Sequence, residues 1–255
     1  DEIKYRLASE PDGPIYSISK DRLVKVVYGS GRVETYQSQL NDKELYIGQS
    51  RNAIKMNFIS PLMGYTGLTF EHSVKPGQSF EANLAIIGLG SNSSVDGGTL
   101  GTGVYVDTYR RGQAGVGLGF GYKFIRTPDF INRNIRYAHL LQGSYLKPVA
   151  YFGSYGENVV TDKGSGAVIG RRNVTCGAIM MELGKQWIFG QKFLLDIYFG
   201  IGYAVDNVMD DPNIWTSYNT SSATHNFMFS RVGQNPGFAT NVGLRFGMLL
   251  GKTKE

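Results

Sequence analysis

The last segment of the chain, Phe238 to Leu250, alternates large apolar side chains with small or polar ones without a break. Phe238, Thr240, Val242, Leu244, Phe246, Met248 and Leu250 fall on one side of an extended chain. Ala239, Asn241, Gly243, Arg245 and Gly247 fall on the other. A strand repeats every two residues, so one face is apolar and the other is small or polar, with a single arginine. The same alternation recurs about eight times with no strong helical signal between, the pattern of a barrel whose alternate residues meet lipid and a polar interior. A soluble β-sandwich is the competing fold, and it accounts less well for the number of strands.

The strand candidates are Ala53–Ile59, Thr66–Ser73, Ser79–Leu89, Ala114–Ile125, Tyr137–Phe152, Val174–Trp187, Phe193–Ala204 and Phe238–Leu250. An even number of strands suits a bacterial outer-membrane barrel. Tight turns are expected at Lys75-Pro76-Gly77-Gln78 and Phe189-Gly190-Gln191, with a link of middle length over Pro128–Arg136. Long polar loops are expected over Gly90–Gln113, Gly153–Arg172 and Val205–Gly237, while Ser60–Tyr65 is a short outer loop. Short turns on one side and long loops on the other predict periplasmic and extracellular ends, with both termini periplasmic.

No run of about 18 apolar residues exists, which excludes a transmembrane helix. The 34 glycines, 16 tyrosines and 14 phenylalanines fit tight turns, small inward residues and aromatic girdles. A net charge of +5 from dispersed basic residues offers no clustered face for nucleic acid. The single cysteine, Cys176, cannot form an intramolecular disulfide, and no metal-ligand spacing surrounds it. The abrupt opening at Asp1-Glu2-Ile3 reads as a form whose leader is left out, with no N-terminal cysteine for a lipid anchor.

Residues 1–40 differ from the rest. Short strands are expected at Glu2–Leu7, Ile15–Ile18, Leu23–Val27 and Val33–Tyr36, split by turns at Pro11-Asp12-Gly13 and Gly29-Ser30-Gly31. They are too short and too charged to cross a membrane and predict a small periplasmic β-meander that upstream residues or a partner complete. Residues 41–50 read as a linker and 51–255 as the barrel.

The segments Asp1-Glu2-Ile3-Lys4-Tyr5-Arg6, Asp12-Gly13-Pro14-Ile15-Tyr16-Ser17-Ile18-Ser19-Lys20 and Val26-Val27-Tyr28-Gly29-Ser30-Gly31 resemble a small N-terminal module of Bacteroidota envelope proteins. Asn52-Ala53-Ile54-Lys55-Met56-Asn57-Phe58-Ile59-Ser60-Pro61-Leu62, Phe70-Glu71-His72, Ile86-Ile87-Gly88-Leu89-Gly90 and Leu146-Lys147-Pro148 resemble that group's small outer-membrane barrels. The resemblance implies the fold and the compartment, and no particular activity.

In strand phase Lys55, Glu71, Glu81, Lys123, Glu182, Asp196 and Arg245 all face the interior, with Lys147 in a stretch of ambiguous phase. Eight strands enclose a space that side chains can fill. Charges of both signs there are expected to pair into a salt-bridge plug, because an unpaired buried charge costs several kcal/mol. Gly115, Gly117, Gly119 and Gly121 repeat at period two within a strand and precede no helix, so they make room across the lumen rather than cradle phosphates. His72, His139 and His225 show no serine-base-orienter arrangement, so no catalytic residue, no metal site and no cofactor is assigned.

Three loop features stand as candidates. Arg110, Arg111, Arg171 and Arg172 lie at outward strand ends, where lipopolysaccharide phosphates would meet a guanidinium fork or the charges would simply be solvated. Asp206, Asp210 and Asp211 with Asn207 and Asn213 offer oxygens for calcium, but their spacing fits no known loop pattern and a plain acidic loop is the favoured reading. Trp215, Tyr218, Phe227 and Phe229 make the last loop aromatic, either as a partner-binding surface or folded back on itself. The expectation is a non-catalytic accessory subunit of an outer-membrane assembly, in contact with outer-membrane lipid and with other outer-membrane or periplasmic proteins. A lipid-modifying enzyme and a narrow channel are the alternatives.

Overall fold

The structure is a computed structural model that describes residues 2–19, 23, 25–35, 46–92, 94–95, 98–99, 105–106, 108–126, 139–162, 167–208, 214–215 and 223–251. It divides into two compact units between Gly48 and Gln49. In the first unit β1 (Glu2–Tyr5) pairs with β2 (Tyr16–Ser19), and β3 (Lys25–Val27) pairs with β4 (Val33–Thr35). Gly31 takes a positive φ of 81° in the turn between β3 and β4, a conformation glycine adopts without strain.

The second unit begins with β5 (Asn52–Asn57), β6 (Tyr65–Lys75) and β7 (Gln78–Ile87). Two-residue strands β8 (Ser94–Val95), β9 (Gly98–Thr99), β10 (Tyr105–Val106) and β11 (Tyr109–Arg110) follow. Then come β12 (Ala114–Arg126), β13 (Gly143–Asp162), β14 (Ala167–Phe189) and β15 (Phe193–Asp206). Short β16 (Ile214–Trp215), β17 (Ala223–His225) and β18 (Ser230–Val232) precede the final β19 (Gly237–Leu250).

Eight of these strands close a ring in the order β5-β6-β7-β12-β13-β14-β15-β19, with β19 pairing back to β5 and every neighbour antiparallel. The chain is an eight-stranded antiparallel β-barrel. Its burial alternates with the residue number: in β19 the odd positions from Gly237 to Arg245 are buried, while Phe238, Val242 and Phe246 are exposed. Ile179 and Val242, 76% and 72% exposed, belong to an apolar belt that continues through Phe120, Phe152 and Phe199. Charge inside and hydrocarbon outside invert the soluble pattern and define a membrane-spanning barrel.

The structure differs from the expected boundaries where polarity stands in for strand. Within the expected loop Gly153–Arg172, Gly153–Asp162 and Ala167–Arg172 are strand: β13 and β14 pair without interruption from Gly143–Gln186 to Asp162–Ala167. Beyond the bilayer a hairpin needs no lipid face, so its alternation fades while cross-strand pairs such as Glu157–Arg172 continue. The fifth strand starts later than expected, at Gly143, and His139 lies in the turn before it. The short outer loop holds a 3-10 turn at Ser60–Met63, begun with Pro61 and ended by Gly64 at φ 87°. The first long loop is folded by the pairs β8–β11 and β9–β10. The expected link over Pro128–Arg136 lies outside the described residues.

Candidate functional site

Adjacent strands bring the inward charges to one level. Glu71 and Glu81 stand directly opposite each other across β6 and β7, a like-charge pair that is destabilising alone. Lys55 Nζ sits between them, 2.6 Å from Glu71 and 2.7 Å from Glu81, and reaches Asp196 at 2.9 Å. Lys123 Nζ bridges the same three carboxylates at 3.2, 2.9 and 3.3 Å. Lys147 joins Glu81 to its cross-strand neighbour Glu182, both at 2.5 Å, and Arg245 donates to Glu81 at 2.9 Å. The side chains of all four carboxylates and three lysines are 0% exposed, and that of Arg245 is 3%.

Four cations meet four carboxylates, so the cluster is electrically balanced. Isolated buried ions are unfavourable, but here further donors and rings satisfy them. Tyr145 donates to Asp196 at 2.7 Å, Tyr151 to Glu182 at 2.5 Å, Ser79 to Glu71 at 2.6 Å and Asn241 to Glu182 at 2.7 Å. Arg245 stacks over the Tyr198 ring at 3.9 Å and Lys123 over Tyr145 at 4.0 Å. The structure thus brings together all seven interior residues read from strand phase and adds Lys147 as the eighth. Pro148 has no N–H for the ladder, and the recorded β12–β13 register passes from Gly121–Val149 to Phe124–Leu146 beside it. Inward glycines fit against these side chains: Gly121 beside Lys147, Gly247 beside Lys55, Gly200 between Glu182 and Asn241.

Below the cluster, at the end that carries Asn52 and Leu250, lies an apolar floor. Leu141 packs with Ala53 and Leu194 there, and Gln186 ties floor to cluster by donating to the Leu141 carbonyl at 2.8 Å while accepting from Lys123 at 2.9 Å. His139 is buried in the same turn, and burial lowers its pKa to about 4 against the opposing charge of Glu71.

Above the cluster the interior changes character. β17 and β18 form a hairpin whose tip, Phe227-Met228-Phe229, is buried inside the barrel mouth. Phe227 packs edge-on to Tyr155 at 4.9 Å and Phe229 lies 6.2 Å from Tyr151. Met228 reaches the inner faces of Gly117 and Gly153. Phe227 and Phe229 are therefore not surface aromatics for a partner; the barrel mouth itself buries them. Only the backbone of Trp215 is described, paired with Val160, and Tyr218 lies outside the described residues.

Asp206 anchors this hairpin. Arg231 donates to it at 2.8 Å, Asn226 at 3.1 Å, and Asn235 donates to its carbonyl. The carboxylate considered for calcium is thus committed to a guanidinium, while Asp210, Asp211 and Asn213 lie outside the described residues. Asn207 donates to the Asn173 carbonyl at 3.2 Å. Among the described residues no cluster of potential metal ligands occurs.

The rim arginines split into two kinds. Arg111 and Arg172 grip Glu157 from either side at 2.6 and 2.5 Å, and Arg111 also stacks on Phe227 at 5.0 Å. Arg111 is buried, so it is not a solvent-facing phosphate ligand. Arg110 and Arg171 are exposed, and Arg171 donates to the carbonyls of Gly112 and Gly156 at 3.1 and 3.3 Å.

Of the histidines, His72 lies 2.6 Å from Asn52 on the wall. His225 lies 3.3 Å from Ser230, its partner in the β17–β18 register. That pair is not visible in sequence, where His225 reads as one polar residue of a polar loop. The five-residue separation gives a contact only when a tight hairpin forms between the two. Burial, aided by the charge of Arg111, lowers the His225 pKa to about 4 and keeps it neutral at neutral pH.

Together a closed ring, an apolar belt and a charged interior define the class: a small membrane-spanning β-barrel. No protein-family model matches the sequence, and no curated protein matches it significantly. Among solved structures, the N-terminal β-barrel domain of Pseudomonas aeruginosa OprF matches at 11% identity, over 79% of this chain and 98% of that domain, with a TM-score of 0.32. The closed ring stands on its own strand register.

Proposed function

We propose that this chain is a non-catalytic outer-membrane barrel with a sealed lumen, serving as an accessory, structural subunit of a larger outer-membrane assembly such as a barrel-insertion, secretion or uptake machine. The observation that carries the sealed lumen is the balanced ion cluster, whose lysine and carboxylate side chains are fully withdrawn from solvent. A conducting pore hydrates the charges that line it; these are satisfied by one another. Eight strands leave a lumen that side chains fill, and here the Phe227–Phe229 tip and the Leu141 floor lie above and below the cluster.

The apolar belt and the closed ring support an outer-membrane location, since bacterial single-chain barrels of even strand number reside there. The β-turns at Gly77 and Gly190 lie at the end bearing Asn52 and Leu250, which supports a periplasmic first unit. A subunit role draws support from apolar side chains beyond the belt: Ile15, Val27 and Val33 in the first unit and Ile169 on the projecting β13–β14 hairpin are half-exposed or more. Extraction of the tagged protein in mild detergent is expected to bring stoichiometric partners; a lone 28.1 kDa barrel overturns the subunit role. Planar-bilayer recordings are expected to stay silent across voltage, and steady single-channel steps overturn the sealed lumen.

One observation favours the lipid-modifying alternative, the His225–Ser230 pair at 3.3 Å. An altered membrane-lipid profile on His225→Ala, matched by Ser230→Ala, selects that reading instead.

A further inference from the structure

The β17–β18 hairpin is attached to the wall by little backbone. β18 pairs with β19 at three positions and with β17 at three, and neither is one of the eight ring strands. Its tip nonetheless lies in the lumen, with Phe227, Met228 and Phe229 all buried. The end of the Met228 side chain and the Cys176 thiol both rest against the inner face of Gly153. Lifting the tip uncovers a cup walled by Tyr65, Tyr151 and Tyr155, with Cys176 at its side. Phe227 turns the tip in the left-handed region at φ 65°, which costs a residue with a Cβ about 1–2 kcal/mol. Burial of three large apolar side chains, about 1.5–3 kcal/mol each, outweighs that and seats the tip at neutral pH.

His225 stands at the foot of the tip. It is buried beside the Phe227 ring, with centroids 5.2 Å apart, and lies 3.3 Å from Ser230. The same Phe227 ring carries the Arg111 guanidinium 5.0 Å from its centroid. The charged groups acting on His225 are Arg111, which precedes β12, and Glu157 of β13, while the 3-10 turn contributes the Met63 backbone. Glu157 is already shared by Arg111 and Arg172, and Asp206 of β15 is committed to Arg231 of the hairpin itself. Arg111, Arg172 and Arg231 thus meet two carboxylates. An imidazolium at position 225 adds a fourth cation where both carboxylates are taken, in a buried site that offers it little water.

We propose that the hairpin is an acid-released plug: protonation of His225 lifts the Phe227–Phe229 tip from the mouth and opens the aromatic cup, while the ring and the ion cluster stay closed. Burial, aided by Arg111, lowers the His225 pKa from 6.5 to about 4 while the tip is seated. The lifted hairpin returns the ring to water and binds the proton more tightly, so the lifted population grows as pH falls from about 6.5 towards 4. The proposal concerns only the space above the cluster, so it stands or falls apart from the sealed lumen and the subunit role.

Cys176, the single cysteine of the chain, serves as the reporter. The full chain in lipid vesicles is treated with 4,4′-dithiodipyridine, a disulfide that labels thiols in acid as well as at neutral pH. The labelling rate is divided by that of the urea-unfolded chain at the same pH, which removes the reagent's own pH dependence. From pH 7 to pH 5 this ratio is expected to rise about twentyfold, with the strand signal in circular dichroism unchanged. His225→Gln is expected to abolish the rise, and His139→Gln, in the floor, to keep it. A ratio that does not rise overturns the plug, and a rise accompanied by loss of the strand signal is global unfolding and overturns it too. A rise that persists in His225→Gln assigns the response to another group, and one abolished by His139→Gln assigns it to the floor; either result overturns the proposal. If His225→Gln does not fold, His225→Asn makes the same test, and the wild-type and His139→Gln ratios decide without either.

Discussion

The middle and the mouth of this barrel occupy the same lumen and are filled in opposite ways. At mid-height the wall strands supply the filling, eight buried charged side chains that satisfy one another. At the mouth the wall supplies small residues such as Gly117 and Gly153, and a returning hairpin fills the space with Phe227, Met228 and Phe229. The difference is one of constraint. A charge cluster requires fixed geometry, which strands held in a closed ladder provide; an apolar tip packs by shape and tolerates delivery by a loop. The middle is therefore integral to the fold, whereas the mouth is closed by an element attached through Asp206–Arg231 and the short β18–β19 ladder.

That contrast can be broken most directly at Glu81, which faces Lys55, Lys123, Lys147 and Arg245. Glu81→Gln leaves a buried cation uncompensated and is expected to cost about 3–5 kcal/mol in urea unfolding from lipid vesicles. Replacing a cross-strand pair together, as in Lys147→Met with Glu182→Leu, is expected to cost less than Glu182→Leu alone. Equal costs would mean that the interior is hydrated.

Acid separates the two ends of the lumen. His139 in the floor and His225 at the mouth are held neutral by burial, each with a folded pKa of about 4 against 6.5 for the free side chain. The unfolded chain binds more protons between these values, so stability falls as pH drops from about 6.5 towards 4, by at most roughly 3 kcal/mol per histidine. His139→Gln and His225→Gln should each remove part of that slope. A flat profile from pH 7 to 4 would show both imidazoles to be reached by water.

Phe229→Ala is expected to cost about 3 kcal/mol locally and to expose segment 223–232 to protease, with the bilayer still electrically sealed by the cluster beneath. Conductance in this variant would show that the mouth, not the middle, is the seal. The smallest effects compare two glycines. At Gly243 a methyl group would meet the rigid Tyr198 ring on which Arg245 stacks, so Gly243→Ala is expected to cost about 1–3 kcal/mol. At Gly117 it would meet the end of the flexible Met228 side chain, and Gly117→Ala should cost under about 1 kcal/mol.

Alternation alone identified the eight wall strands and the inward phase of Lys55, Glu71, Glu81, Lys123, Glu182, Asp196 and Arg245, because a strand has only two faces and lipid tolerates no charge on one of them. It failed where lipid no longer imposes a face: the upper β13–β14 hairpin reads as polar loop although its ladder is continuous. Strand phase says which face a side chain takes but nothing about its height in the barrel. The meeting of Lys55 with Asp196, 141 residues away, follows from register and closure. So do the descent of Phe227 and Phe229 into the mouth and the capture of Arg111 and Arg172 by Glu157. Period-two patterning is local and legible in one dimension; partner, depth and closure are properties of the ring.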